Sequence, residues 1–420
     1  ILYSILYNIG HLGQFYRWFF AKGQDAGMVS FEPDFMNQNY NCVPDFVESA
    51  DNARTWQMGM AVAALEKNLT VQWCYATPTD ILAALEMPAV TNFRVSMDFC
   101  YGHSWDVGVS SLIVWAAGAF PSKDTLWTSA NGKFAVPGCN WSPDHENVAA
   151  PLHVVIALMS TGPVGISDMI GGTNVTLIQR TIAKDGTLLK PAKPLSSIDS
   201  ALAAGRGTSN DDRTTVATGV AASAAVAAAP QGQVYSTYTA AQGQPSAVVP
   251  GSPGSANWTK PTASSWIFVS FLMKAPFSIG PRDYFPPLRT GQKLVHREFG
   301  LGKGCANGSP ASTCVSTSSV VAPLSDMSNV TGGTDFAPAV TTVWPADACA
   351  SGYVFLGDLT KYVAASSLRF SHVTCTATGL TATVHGTSGE SVPVTVLAKE
   401  KVLVKVVDIP ASGSFALSIP

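Results

Sequence analysis

Strand and helix signals alternate about five times over the first 185 residues, and no other feature limits the fold of this chain as much. Val-, Ile- and Phe-rich runs at 28–33, 69–75, 92–97, 132–136 and 163–167 read as buried strands. Helical patterns separate them. Over 1–22, Ile5, Leu6, Ile9, Leu12, Phe15, Tyr16 and Phe19 fall at three- and four-residue spacings, with Gly23 as the stop. Asp51 is placed to cap a helix over 52–67 that turns Trp56, Met60, Ala63 and Ala64 inward, and Thr79 to cap a short one that Pro88 closes. Further helices are expected over 107–120, 142–159 and 174–183. Such alternation predicts a parallel sheet covered by helices. Five units do not close an eight-stranded barrel, so either the sheet is open or the front of a barrel lies upstream of Ile1.

Several of these strands stop at carboxylates, and parallel barrels carry their chemistry at the carboxyl ends of their strands. The run at 28–31 ends in Glu32 and Asp34, the run at 92–97 in Asp98, and the run at 163–167 in Asp168. Each acid also has a plain structural reading. Asp34 suits the cap of a turn. Arg94 and Asp98 share a strand face and suit a buried ion pair. Asp168, ahead of Gly171 and Gly172, suits a helix N-cap as well as a ligand contact. The loop beyond Asp98 carries His103, Trp105 and Asp106, an aromatic and an acid able to meet a polar ring, or simply loop packing in the case of His103. Trp73 beside Cys74 reads as core.

The chain is 46% hydrophobic and 13% charged over 420 residues, enough apolar material for one large domain and a smaller one. A net charge of −3 gives no attraction for nucleic acid or anionic membranes. The longest apolar runs, at 107–120 and 148–159, are too short to span a bilayer. Eight cysteines without a CxxC pair, together with Asn-X-Ser/Thr sequons at Asn68, Asn140, Asn174, Asn257, Asn307 and Asn329, favour a secreted, glycosylated, disulfide-bonded protein. No signal peptide is visible, and a start without Met suggests a piece of a longer precursor. Cys305 and Cys314 flank a Gly/Ser/Pro loop and are expected to pair locally. No His/Cys/Asp spacing fits a metal, the Gly-x-Gly at 300–302 lacks a following helix, and no GxSxG elbow is present, so no cofactor is expected.

Residues 201–262 are rich in Ala, Ser, Gly and Pro and read as a long surface excursion, with one strand near 232–238. From 263 to 420 the signals are short strands between turns, ending in three over 392–419, which predicts a β-sandwich without chemistry of its own.

The motifs resemble the α-galactosidase and raffinose-synthase group of retaining glycosidases, most like secreted eukaryotic relatives. SFEPDF at 30–35 resembles the end of the family's fourth barrel strand, RVSMD at 94–98 its sixth, and GPVGISDMIG at 162–171 its eighth. DGTLLKPAKPLSSID at 185–199 is similar to the family's exit from the barrel, and the last 60 or so residues to its β-domain by pattern alone. The resemblance covers about 1–200 well. It implies a (β/α)8 TIM-barrel portion, strands four to eight, within residues 1–200, followed by an all-β sandwich. It also implies that strands one to three come from an upstream fragment or a second chain.

By that resemblance Asp34 is the nucleophile and Asp98 the acid/base. Glu32, Arg94, Trp105, Asp106 and Asp168 would contact a carbohydrate substrate bearing an α-linked sugar. Many family members carry Lys where this chain has Glu32. Arg94 is expected on a sugar hydroxyl or behind a carboxylate rather than on Asp98 itself, because a direct contact opposes the acid role. The alternative is a catalytically inactive relative serving as a structural or glycan-binding subunit of an extracellular assembly.

Overall fold

The computed structural model describes residues 12–98, 107–128, 150–200, 233–240, 265–271, 279, 283–284, 294–300, 338–346, 349, 351–375, 378–399 and 401–420. Its first part is a parallel sheet with helices. Helix α1 (Leu12–Asp25) leads into β1 (Ser30–Phe31); α2 (Met36–Cys42), α3 (Pro44–Glu48) and α4 (Ala50–Glu66) follow. Next come β2 (Thr70–Trp73), α5 (Pro78–Ala83), β3 (Val90–Arg94), α6 (Gly108–Ala116) and β4 (Phe120–Ser122), then α7 (Ala150–Met159) and α8 (Val175–Gln179). The four strands pair in sequence order and all in parallel. A parallel bridge from Leu126 to Ile166 extends the arrangement toward residues 163–167. Closure into an eight-stranded barrel is not seen among the described residues.

Tyr16 and Phe20 of α1, and Trp56, Met60, Ala63 and Ala64 of α4, pack with Val71, Trp73 and Phe93 of the sheet in one buried cluster. Burying a side chain such as Phe93 contributes about 1.5–3 kcal/mol. Trp73 is core, as its neighbours suggest.

Local chemistry moves several boundaries. The strand beside β3 is β4, not 132–136, which lies outside the described residues. The expected helix over 107–120 stops early because Gly118 takes φ 84° and its N–H bonds to Trp115 O, freeing Phe120–Ser122 to extend. Helix α1 runs past Gly23 to Asp25. Helix α5 is capped by Thr77 rather than Thr79: Pro78 fits the first helical position, and Thr77 and Asp80 form a reciprocal capping box. Ser49, not Asp51, holds the cap position of α4.

Helix α7 is buried all round, since it lies between the parallel region and a second sheet. That sheet is five-stranded and antiparallel, in the order β5-β6-β7-β9-β8, built from Ser196–Ser197, Gln233–Thr239, Ser265–Phe271, Ala339–Pro345 and Leu294–Gly300 respectively. Ile267, Val269 and Phe271 of β7 face the α7 cluster, whereas Trp266 and Phe268 face Tyr284 on the other side. Two covered faces explain why the β7 sequence is apolar without alternation. Strand β6 lies in the middle of the stretch read as surface excursion, yet it is buried between β5 and β7. One sheet therefore draws on all three expected segments.

The last unit is a sandwich of two three-stranded sheets. One is β10-β13-β14, from Tyr353–Gly357, Ser391–Ala398 and Lys401–Asp408; the other is β11-β12-β15, from Phe370–Cys375, Leu380–His385 and Ser414–Ile419. Phe355, Phe370, Val384, Val394, Val396 and Leu417 fill the space between them. Cys349 and Cys375 form a disulfide, while Cys305 and Cys314 lie outside the described residues.

The sandwich is tied to the segment after α8 through polar contacts. Lys361 Nζ donates to the carbonyl oxygen of Gln179, the last residue of α8, at 2.6 Å and to Ile182 O just beyond it at 2.8 Å, where cations are favoured. Ser366 Oγ donates to Lys190 O, and Lys184 N–H donates to Glu390 Oε1. Glu390 also accepts from Arg369 at 2.6 Å, and the Arg369 side chain is only 1% exposed. Burial pushes the Glu390 carboxyl up, but hydrogen bonds from Arg369 and the Thr387 N–H outweigh it and leave the carboxyl below its ordinary range. The resulting stability is fully present above the unfolded glutamate range and is lost as pH falls through the lowered folded value. Glu390→Gln should therefore cost about 3–5 kcal/mol at neutral pH by stranding the Arg369 charge. Urea denaturation should show that difference shrinking in acid; equal stability of variant and parent at neutral pH would exclude the role.

Candidate active site

The carboxyl ends of β1, β2, β3 and β4 converge on a cluster of charged and aromatic side chains. Pro33 O accepts from Cys74 N–H at 3.3 Å, and Cys74 O and Tyr75 O accept from Met36 and Asn37 N–H, each at 3.1 Å. The turn that carries Asp34 is thereby folded over the end of β2. Asp34 is exposed, and its Oδ1 accepts from the Phe35 N–H at 2.7 Å. Glu32, also exposed, lies on the same turn.

Two aromatics mark this turn. Phe35 and Tyr75 both have φ 54°, a left-handed backbone that costs non-glycine residues about 1–3 kcal/mol. Their rings stack at 5.5 Å with 11° between planes, and Phe35 remains 45% exposed. Beneath them the Arg94 guanidinium lies 4.5 Å from the Tyr75 ring centre. Strain held at a strand end by stacking is the kind of outlier that accompanies ligand sites.

Arg94 is only 8% exposed in its side chain and binds Asp98 Oδ1 at 2.6 Å and Asp124 Oδ1 at 3.6 Å. The direct contact with Asp98 overturns the expectation that Arg94 would leave that carboxyl alone. A buried guanidinium requires an acceptor, and Asp98 is the nearest. Burial, then the hydrogen bond to Asp98 and its charge, push the Tyr75 hydroxyl up to about 12, so it stays a donor. Burial, then a hydrogen bond to Asp34, likewise raise the Cys74 thiol. The β2 end thus touches both acids: Cys74 meets Asp34, and Tyr75 meets Asp98.

Asp168 lies at the end of the next parallel segment, but its carboxylate is occupied. It accepts from Thr128 N–H at 2.8 Å and from Thr128 Oγ1 at 2.5 Å, and Thr128 Oγ1 accepts from Asn174 N–H at 2.6 Å. The N-cap of α8 is Asn174, not Asp168. His103, Trp105 and Asp106 lie outside the described residues, as do Asn140, Asn257, Asn307 and Asn329; Asn68 and Asn174 are both exposed. Among the described residues no cluster of His, Cys, Asp or Glu is arranged to hold a metal, and no helix is long and apolar enough to cross a membrane.

Sequence reasoning missed Cys74, Tyr75, Phe35 and Asp124. The first two adjoin a recognised strand end, a usable signal. Asp124 was hidden because β4 follows an apolar helix with Gly118 as the sole break. Comparison with protein-family models and with curated proteins returns no match, so the site stands on its own geometry.

Iodoacetamide should label the exposed Cys42 of the native protein and spare Cys74, which is 1% exposed with its thiol held protonated. Peptide mapping reads the result, and rapid native labelling of Cys74 would contradict the described packing.

Proposed function

We propose that this chain belongs to a secreted retaining glycosidase or transglycosidase acting on α-linked sugars, with Asp34 as nucleophile and Asp98 as acid/base. One observation carries the reading: two acids, beyond the ends of β1 and β3, border the same Cys74–Tyr75 end of the strand between them. Retaining chemistry needs two carboxyls about 5–5.5 Å apart. In the first step an Asp34 oxygen bonds to the anomeric carbon, the glycosidic C–O bond breaks, and Asp98 gives its proton to the leaving oxygen. In the second, Asp98 takes a proton from water or an acceptor hydroxyl, whose oxygen displaces Asp34 from the sugar. Arg94, Glu32 and the exposed Phe35 ring border the space where the sugar would lie, and Phe35 offers an apolar face to it.

In this reading β1–β4 and residues 163–167 are strands four to eight of a barrel completed by an upstream fragment or a second chain. The disulfide and the exposed sequon asparagines suit an extracellular setting.

A second reading, a glycosidase-like glycoprotein with a structural or glycan-binding role, draws on the Arg94–Asp98 pair. A positive charge so close favours a carboxylate over the carboxylic acid that the first step requires.

Asp34→Asn separates the two. It should lower turnover of an aryl α-glycoside by at least about a thousandfold while leaving circular dichroism and thermal unfolding unchanged. Undiminished turnover would remove Asp34 from the nucleophile role.

A further inference from the structure

We propose that Asp124 is a positioning residue that receives the Arg94 guanidinium whenever Asp98 is protonated. The inference rests on the catalytic reading for its purpose but on geometry for its substance. Arg94 is nearly buried, so its charge needs a carboxylate at every stage. Asp98 holds it at 2.6 Å, and Asp124 waits at 3.6 Å on the other terminal nitrogen. A protonated Asp98 no longer compensates the cation, and Asp124 is then the nearest described carboxylate.

The surroundings favour a short transfer over a large swing. The Tyr75 ring centre lies 4.5 Å from the Arg94 guanidinium carbon and limits how far the guanidinium can travel. Asp124 is anchored to the loop that bears Asp98, because its N–H donates to Ser96 Oγ at 2.8 Å and Ser96 Oγ donates to Met97 O. The two acceptors therefore keep their spacing as the cation moves between them.

The ionisable groups around Asp98 come from four elements. They are Arg94 on β3, Cys74 and Tyr75 past β2, Asp124 past β4, and Asp34 with Glu32 past β1, whose charges reach Cys74. Lys123, next to Asp124, is turned into the interior, where it donates to Thr125 O and faces His153 on α7. Arg94 is the cation placed between the two acids. The arrangement lets Asp98 alternate between acid and base without leaving a buried charge bare.

The test compares the parent with Asp124→Asn and Asp124→Glu by two measurements, one independent of turnover. Nitrogen-15 NMR of the Arg94 side chain reports exchange of its guanidinium protons. In the parent they should stay protected from neutral pH down through the range where Asp98 takes a proton. In Asp124→Asn the protection should be lost at the acid end, and Asp124→Glu should restore it. Asp124→Ser gives the same readout if the Asn variant does not fold.

With an aryl α-glycoside, the pH profile of kcat/KM should change in Asp124→Asn and return to the parent's in Asp124→Glu, because the Asn variant leaves Arg94 with Asp98 as its one carboxylate partner among those described. Equal protection in parent and Asn variant across the pH range would overturn the proposal. Loss of protection in a protein that turns over no glycoside would uphold the transfer of the cation and sink only the catalytic reading.

Discussion

A guanidinium placed under an aromatic ring at the mouth of a parallel sheet has to be neutralised, and much of this site follows from that need. Arg94 ends β3 with its side chain almost wholly covered, and such a charge is tolerated only where carboxylates meet it. Asp98 comes from the loop after β3 and Asp124 from just past β4, while Tyr75, just past β2, places its ring beside the guanidinium. Tyr75 does so in a left-handed conformation, and Phe35 stacks on it in the same conformation. The turn carrying Asp34 is thereby brought against the end of β2. A cation thus organises the positions of acids that stand far apart in the chain.

The remainder of the fold holds these strand ends in place. Helices α1 and α4 cover the sheet, and α7 is held between it and the five-stranded antiparallel sheet. The sandwich is locked to the segment after α8 by Lys361, Arg369 and Glu390, contacts whose worth depends on burial and pairing rather than on number. Asp168 serves the same end within the site, since it fixes Thr128 and through it the start of α8.

Much of the element order was legible in the residues because periodicity reports burial. The strand β2, the inward face of α4 and the three closing strands of the sandwich all lie near where their apolar spacing put them. The misses have physical causes. Strand β4 continues an apolar helical run, and one left-handed glycine makes the break. Strand β6 was expected near 232–238 but as part of a surface excursion; its burial depends on partners far along the chain, which the Ala- and Ser-rich composition around it does not reveal. Within the site, Asp34 and Asp98 stood out as strand-terminal acids. Tyr75 and Phe35 did not, because backbone strain leaves no trace in composition. The contact between Arg94 and Asp98 went against expectation because it opposes the acid role, and Asp124, the second acid near the cation, lies just past the unrecognised strand β4.

The central proposal is that Asp34 acts as a nucleophile, with Asp98 as its acid/base partner. Covalent trapping tests this most directly. The protein, together with any co-purifying upstream chain, would be incubated with a panel of α-configured cyclitol aziridines and digested, and the modified residue located by mass spectrometry. The account predicts a single stoichiometric ester on Asp34, lost when a competing sugar occupies the site. Labelling of another carboxylate, or none across the panel with Asp34 intact, would contradict it.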